Sequence, residues 1–341
     1  DVYKRQLAFR ADGADVVAFD SLRRRGGETN LTTLADTGIS FVHGDVRSAA
    51  DLADVDGVFD VVIDAAAEPS VHAGVGGSPR YVLDTNLGGT INLLEVARER
   101  AGAFVFLSTS RVYSIAPLCA LEYEEGPTRL ELAEEQSVPG IGPAGVREDF
   151  PTDGPRSFYG ASKLASELVV QEYVDSAGLE AVIDRCGVLA GAGQFGKSEQ
   201  GVIALWAARH YYERPLTYIG FGGTGKQVRD VLHPLDLYSL LVQQLDAIDT
   251  LSGRVFNVGG GRGGSVSLLE LTGICREATG NDVLIGSRSE TSPVDVPIYL
   301  TDNGRVEREV GWTPTRTPTD IVTEIVGWIR DNEAVLRPIL A

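Results

Sequence analysis

Residues 103–110 read AFVFLSTS, five apolar side chains in a row followed by three hydroxyls. A strand with one wet face alternates; this run has no polar position until its end, so both of its faces must be covered. Four other runs are nearly as continuous: DVVAFD (15–20), ISFVHGDV (39–46), FDVVIDAAA (59–67) and LEAVIDRCGVLAG (179–191). Between them lie stretches with helical periodicity, YVLDTNLGGTINLLEVARERA (81–101) and YGASKLASELVVQEYVDSAG (159–178). Strands that alternate with helices predict a doubly wound parallel sheet, an α/β fold.

The pattern changes after about residue 190. A helix at 198–213, a strand LTYIG, the strand–helix segment RDVLHPLDLYSLLVQQLDAI, a strand VFNVGG and helices at 267–279 and 317–336 predict a smaller second lobe. Its chain returns once to the sheet. The expected division is 1–191 with 232–262 for the sheet domain, and 192–231 with 263–341 for the lobe. Residues 114–156, rich in Pro, Gly and Glu, are too long for an ordinary connector and predict a functional loop or lid.

Bulk composition excludes several functions. At 341 residues the chain can bury a full core. Thirty basic against forty-eight acidic side chains give −18, which repels nucleic acid and anionic membranes. Cys119, Cys186 and Cys275 are far apart, without metal-ligand spacing, which fits a reducing cytoplasm. No apolar run approaches the roughly 18 residues of a membrane span. His43, His72, His210 and His233 show no metal-like spacing either.

Ligands in an open α/β sheet sit at the carboxyl ends of the strands. Asp20 ends the first run and can accept both hydroxyls of an adenosine ribose; a turn or a helix cap is its other use. Arg23, Arg24 and Arg25 leave room for a 2′-phosphate. Gly44-Asp45-Val46 suits the flank of an adenine, and Ala65-Ala66-Ala67 would let a dinucleotide approach the backbone. The glycine-rich turn that holds a pyrophosphate is not where it should be. Matches at Gly220–Gly225 and Gly259–Gly264 have the wrong place in the chain and read as loop glycines. The sequence has no methionine, so residue 1 is not a translation start. The expectation is a Rossmann-type sheet lacking its first strand and glycine loop, with DVYKRQ in helix.

SFYGASK (157–163) holds one of only four lysines against twenty-six arginines. Tyr159 and Lys163 stand one helical turn apart, on one face. A free phenol, with a pKa near 10, is a poor base at neutral pH. A nearby ammonium favours the phenolate; a shift of about three units corresponds to about 4 kcal/mol and needs a partly desolvated site. A surface pair on an amphipathic helix is the plainer use of such spacing. Thr109, at the carboxyl end of its strand, decides for chemistry: its hydroxyl can hold a sugar oxygen as that oxygen becomes a carbonyl. Arg185 and Cys186 end the next strand, where a nicotinamide would lie.

With TNLGGT (85–90), these residues resemble the extended short-chain dehydrogenase/reductase family of nucleotide-sugar enzymes, over nearly the whole chain. The resemblance implies catalytic Thr109, Tyr159 and Lys163, with Lys163 also binding cofactor. It implies NAD held by Asp20, Asp45, Val46, Ala65, Ala66, Ala67, Asn86 and Arg185. Sugar 4,6-dehydratases of that family carry Asp-Glu after the threonine to eliminate water; here those positions are Ser110 and Arg111. GAGQFGKSEQG (191–201) and GKQVRDVLH (225–233) look like the CDP-paratose 2-epimerase branch. That implies Arg229 on the nucleotide diphosphate and Gln194, Phe195 and Gln200 beside the sugar. The partners implied are a nucleotide-sugar, CDP-linked by preference, and a second copy of the chain in a homo-oligomer. UDP-hexose 4-epimerases and 4-reductases use the same triad, and an NAD-sensing module or inactive fragment of the same fold is the alternative outside the enzymes.

Overall fold

The computed structural model describes residues 2–195 and 201–341. The chain enters as helix α1 (Val2–Ala11) and turns at Gly13, whose φ of 95° suits glycine. It continues into strand β1 (Val17–Asp20), which pairs in parallel with β2 (Ser40–His43). Strand β3 (Phe59–Asp64) pairs in parallel with β4 (Ala101–Thr109), and helix α2 (Gly89–Arg100) connects them. Residues 114–156, the expected loop or lid, carry some regular structure of their own. They form two small antiparallel hairpins, β5 (Tyr123–Glu125) with β6 (Leu130–Leu132) and β7 (Ile141–Gly142) with β8 (Gly145–Val146). Leu130, Leu132, Ile141 and Phe150 bury against Val296–Leu300, so this insertion has a core of its own.

Helix α3 (Phe158–Ala177) starts where the Ser157 side chain accepts the Gly160 N–H, and stops at Gly178 in the left-handed conformation. Strand β9 (Glu180–Cys186) follows, then β10 (Val188–Leu189), helix α4 (Val202–Tyr211), β11 (Leu216–Ile219) and β12 (Val228–Leu232). Helix α5 (Pro234–Asp246) leads back to β13 (Val255–Val258). The main sheet runs β13-β9-β4-β3, all parallel. Strand β14 (Ser265–Ser267), helix α6 (Leu268–Thr279), β15 (Ile285–Arg288), β16 (Ile298–Tyr299) and helix α7 (Pro318–Asp331) complete the second lobe. Both helices start in capping boxes, Ser267 with Glu270 and Thr317 with Asp320. Their apolar faces meet α4 around Trp206, Leu271 and Ile325.

The structure departs from the expected single sheet in one respect. DVVAFD and ISFVHGDV pair with each other, but among the described residues no strand joins them to β3. The residues before β1 are helical, as anticipated for DVYKRQ. The glycine match at 259–264 leads into β14, not directly into a helix. No helix among the described residues is long and apolar enough to cross a membrane, and no His, Cys, Asp and Glu cluster there could hold a metal.

The middle of the sheet carries an unusual acid. Asp184 in β9 is fully buried, and its Oδ1 accepts the Gln244 amide from α5 at 2.8 Å. Among the described residues its Oδ2 and the Gln244 Oε1 both lack partners. Burial pushes the Asp184 carboxyl up to about 7. A proton on Oδ2 supplies the donor those two oxygens lack. Because the folded value lies above the unfolded one of 3.8, this group's stabilisation is complete below about pH 4 and is lost as pH rises to about 7. Asp184→Asn, which keeps the shape and the donor without the charge, should melt higher than the parent at pH 8, with the gap closing towards pH 4. Parallel thermal melts at the two pH values check this.

Candidate active site

Sheet order brings the predicted chemistry to one edge. Thr109 ends β4 and is the register partner of Cys186 at the end of β9. The chain then turns tightly through residues 110–112, with the Thr109 side chain accepting the Arg111 N–H at 3.2 Å. Helix α3 lays its first turn on that turn. A Cβ at Gly160 would stand 2.1 Å from the Arg111 carbonyl oxygen, so only glycine lets the helix come this close. The residue before it, Tyr159, thereby stands near the Thr109 hydroxyl, which acts to lower the phenol.

Electrostatics divide the pair expected to act together. Burial pushes the Tyr159 phenol up, while the Thr109 hydrogen bond and the Arg111 charge pull it down. Burial pulls the Lys163 ammonium down, opposed by Asp64, Cys186 and Glu167. Cys186, the register partner of Thr109, acts on both groups. The cation whose field reaches the phenol, however, is Arg111. Burial drives the Cys186 thiol up to about 12, which leaves it protonated and inert.

Arg111 was legible only as a missing acid. Its Nη1 donates to the Val294 carbonyl at 3.3 Å, and its Nη2 stands 3.9 Å from the Asp295 carboxylate. Burial lowers this guanidinium to about 10, and neighbouring Arg229 adds to the effect. Arg229, on β12, donates to Asp295 Oδ1 and to the Val296 carbonyl, both at 2.6 Å. Two guanidiniums therefore share one carboxylate beside the tyrosine. Asp295 carried no signal in the sequence, because the segment holding it has no periodic pattern.

Three expected ligand contacts fall differently. Arg185 donates through Nε and Nη2 to both Glu167 oxygens at 2.7–3.1 Å, and through Nη1 to the Tyr113 hydroxyl at 3.2 Å. Its donors are spent on the protein, so it stands behind the cleft instead of facing a cofactor. Asn86 is likewise closed: its side chain accepts the Glu68 N–H at 2.8 Å and donates to the Glu68 carbonyl and to Ser162 Oγ. It ties the loop after β3 to the helix that carries Lys163. Phe195 packs edge-on against Trp328, with ring centroids 5.8 Å apart, and is buried in the second lobe's core. Gln194 donates to the Leu189 carbonyl at 3.1 Å. Gln200 lies outside the described residues.

A dinucleotide finds fitting groups at both ends. Asp20 is exposed at the end of β1, one of its oxygens accepting the Leu22 N–H at 2.7 Å. Asp45, after β2, is gripped by Arg47, which lowers its carboxyl. Arg23 and Arg47 both lie over the ring of Tyr81, so Arg23 is turned onto an aromatic face. The Val46 carbonyl accepts the Asn92 amide, and half-buried Ala65, Ala66 and Ala67 line the exit of β3. At the other end the buried Lys163 ammonium has no hydrogen-bond partner among the described residues and lies over the Phe106 ring. In this structure Arg5 of α1 is also buried close to Cys186, so that helix reaches the same cleft.

A CDP-paratose 2-epimerase from Salmonella typhi is 30% identical over 336 residues, covering 93% of each chain. Among solved structures, a dTDP-glucose 4,6-dehydratase from Streptomyces venezuelae with NAD bound is 28% identical with a TM-score of 0.75, over 99% of this chain and 95% of that one. A UDP-glucose 4-epimerase from Thermus thermophilus in complex with NAD is 25% identical with a TM-score of 0.74, over 96% of both. Residues 6–259 match the NAD dependent epimerase/dehydratase family, and the chain belongs to it.

Proposed function

We propose that this chain inverts a carbon of a nucleotide-sugar, and that the substrate is a CDP-sugar inverted at C2, as the name of its Salmonella typhi relative suggests. One observation carries the reading. Beside the Thr109–Tyr159 hydroxyl pair stands the guanidinium of Arg111, where elimination of water would need an acid. Removing a proton directly from such a carbon would leave a carbanion with no neighbouring carbonyl. Oxidation avoids that, and bound NAD supplies the acceptor and return of the hydride. Tyr159 takes the proton from the sugar hydroxyl oxygen and later gives it back. Thr109 holds that oxygen throughout. Lys163 orients the ribose, and Arg111 favours the phenolate. Arg229 holds the diphosphate.

Incubation with CDP-paratose in deuterium oxide tests this. The expected product is inverted at C2 and carries no deuterium there, because the hydride never meets solvent. Deuterium at that carbon rules the mechanism out. Inversion of UDP-glucose at C4 in place of any reaction with the CDP-sugar would establish the second reading, which the Thermus structure favours. A pure NAD-binding module would show no transient absorbance at 340 nm on addition of any of these sugars.

The position of Arg111 gives a further expectation. Removing its charge should raise the Tyr159 pKa, so Arg111→Gln should move the acid limb of kcat/KM upward by about one pH unit. Arg111→Lys should restore most of it. An unmoved limb would show that the guanidinium acts on substrate alone. We place self-association along the outer face of α3, where Phe158 and Leu168 are 41% and 58% exposed beside an apolar groove of about 510 Å³. Light scattering of Leu168→Glu against the parent checks it: a parent that is already monomeric removes the idea.

A further inference from the structure

The buried Lys163 ammonium raises a question that its role toward ribose does not answer: what keeps it charged. It lies 4.3 Å from the centroid of the Phe106 ring, and its relative exposure is 2%. A π face offsets only part of the cost of burying an ammonium. Phe106 on β4 is the register partner of Asp64 on β3. Partners in a parallel ladder project from the same face of the sheet, so the carboxylate stands beside the ring that the ammonium covers.

Asp64 is itself under-supplied. It is fully buried, and its Oδ1 accepts the Ala66 N–H at 3.0 Å. Its Oδ2 lies 2.6 Å from the Thr90 hydroxyl, whose single proton is shared with the Asn86 carbonyl at 2.7 Å. Among the described residues no arginine, histidine or lysine comes close enough to it for a direct ion pair, and Lys163 feels its charge across a longer gap. The other charged or titratable groups around Lys163 are committed or neutral. Glu167, on the same helix, is held by Arg185. Cys186 on β9 is a protonated thiol that also feels Arg5 of α1. Tyr159, one turn earlier, is a phenol that burial pushes up and so keeps neutral.

We propose that Asp64 is the counter-ion of Lys163, a positioning residue that keeps the lysine protonated and fixed over Phe106. It deepens the reading of Lys163 as part of the reacting set, and rests on that reading only for its purpose. Without the carboxylate the ammonium would deprotonate at lower pH, and the lysine would lose both its field and its donors toward ribose.

The test needs neither cofactor nor substrate. Protein labelled with ¹³C at lysine Cε should give signals from only four lysines, and Lys163→Arg identifies one of them by its loss. In Asp64→Asn that signal should titrate at least about one pH unit lower than in the parent. A midpoint that stays within about 0.3 units, or rises, overturns the proposal. Should Asp64→Asn fail to fold, the reciprocal variant decides. Lys163→Met leaves the carboxylate unpaired, so its stability should fall from pH 5 to pH 8 more steeply than the parent's, and adding Asp64→Asn should remove the excess slope. Equal slopes in the single and double variants defeat the pairing. Since neither the titration nor the stability slopes measure turnover, a failed epimerase assay and a failed titration are separate results. If both ideas hold, the alkaline limb of kcat/KM moves down in Asp64→Asn, which a merely structural role would not produce.

Discussion

Tyr159→Phe should lower turnover of a nucleotide-sugar by about 10²-fold or more while substrate binding stays near the parent's. The substitution deletes one oxygen. The ring keeps its place, because Ser157 caps the helix and Gly160 seats it against the Arg111 carbonyl, and neither depends on the hydroxyl. What disappears is the group that takes the sugar proton, an interaction needed only as the carbon–hydrogen bond opens. Such a loss should reduce kcat and kcat/KM together and leave KM almost alone. Steady-state kinetics on the purified variant decide; activity at the parent level would remove Tyr159 from the reaction.

The second large effect lies behind the cleft. Glu167→Gln should destabilise the fold by roughly 3–5 kcal/mol, the range for breaking a buried ion pair by removing one partner. The pair is among the least exposed charges of the protein, with side chains 2% and 10% accessible. Burial alone would lower the Arg185 guanidinium, but Glu167 outweighs it and holds the group above its ordinary value. With an amide in place of the carboxylate, Arg185 keeps the Tyr113 hydroxyl and the Glu148 carbonyl but no anion, and it competes with Ser108 for the one side-chain oxygen left. Arg185→Met placed on top should recover much of the loss, since an amide beside an apolar side chain leaves no orphaned charge. Guanidinium unfolding of the parent, single and double variants measures this. A single variant within about 1 kcal/mol of the parent would show that the pair is not what joins α3 to the sheet.

The sequence carried the parts of this fold that depend on local pattern. Strands covered on both faces betray themselves by unbroken apolar runs, and their last residues mark the cleft: Asp20, Asp45, Thr109 and Cys186 all stand at such ends. Tyr159 and Lys163 were legible because helical spacing places them on one face. Long-range pairing was not. Arg185 looked like a ligand because nothing local reveals that Glu167, eighteen residues earlier on another element, uses its donors. Phe195 looked like part of a sugar site, yet its environment is set by Trp328 from the last part of the chain. The hairpins within 114–156 escaped notice because each strand is two or three residues long, below any readable period.

Asp295, seated between Arg111 and Arg229, has a bearing on affinity. If Arg229 is to receive a diphosphate, the newcomer does not meet bare cations; it must displace an anion already in place. Binding is then an exchange, with one ion pair broken for each formed, and the net gain in free energy is small for so charged a ligand. Such a site is expected to depend weakly on ionic strength and to release its product readily. A loose grip on a dianion suits an enzyme whose substrate and product differ at one carbon and carry the same diphosphate.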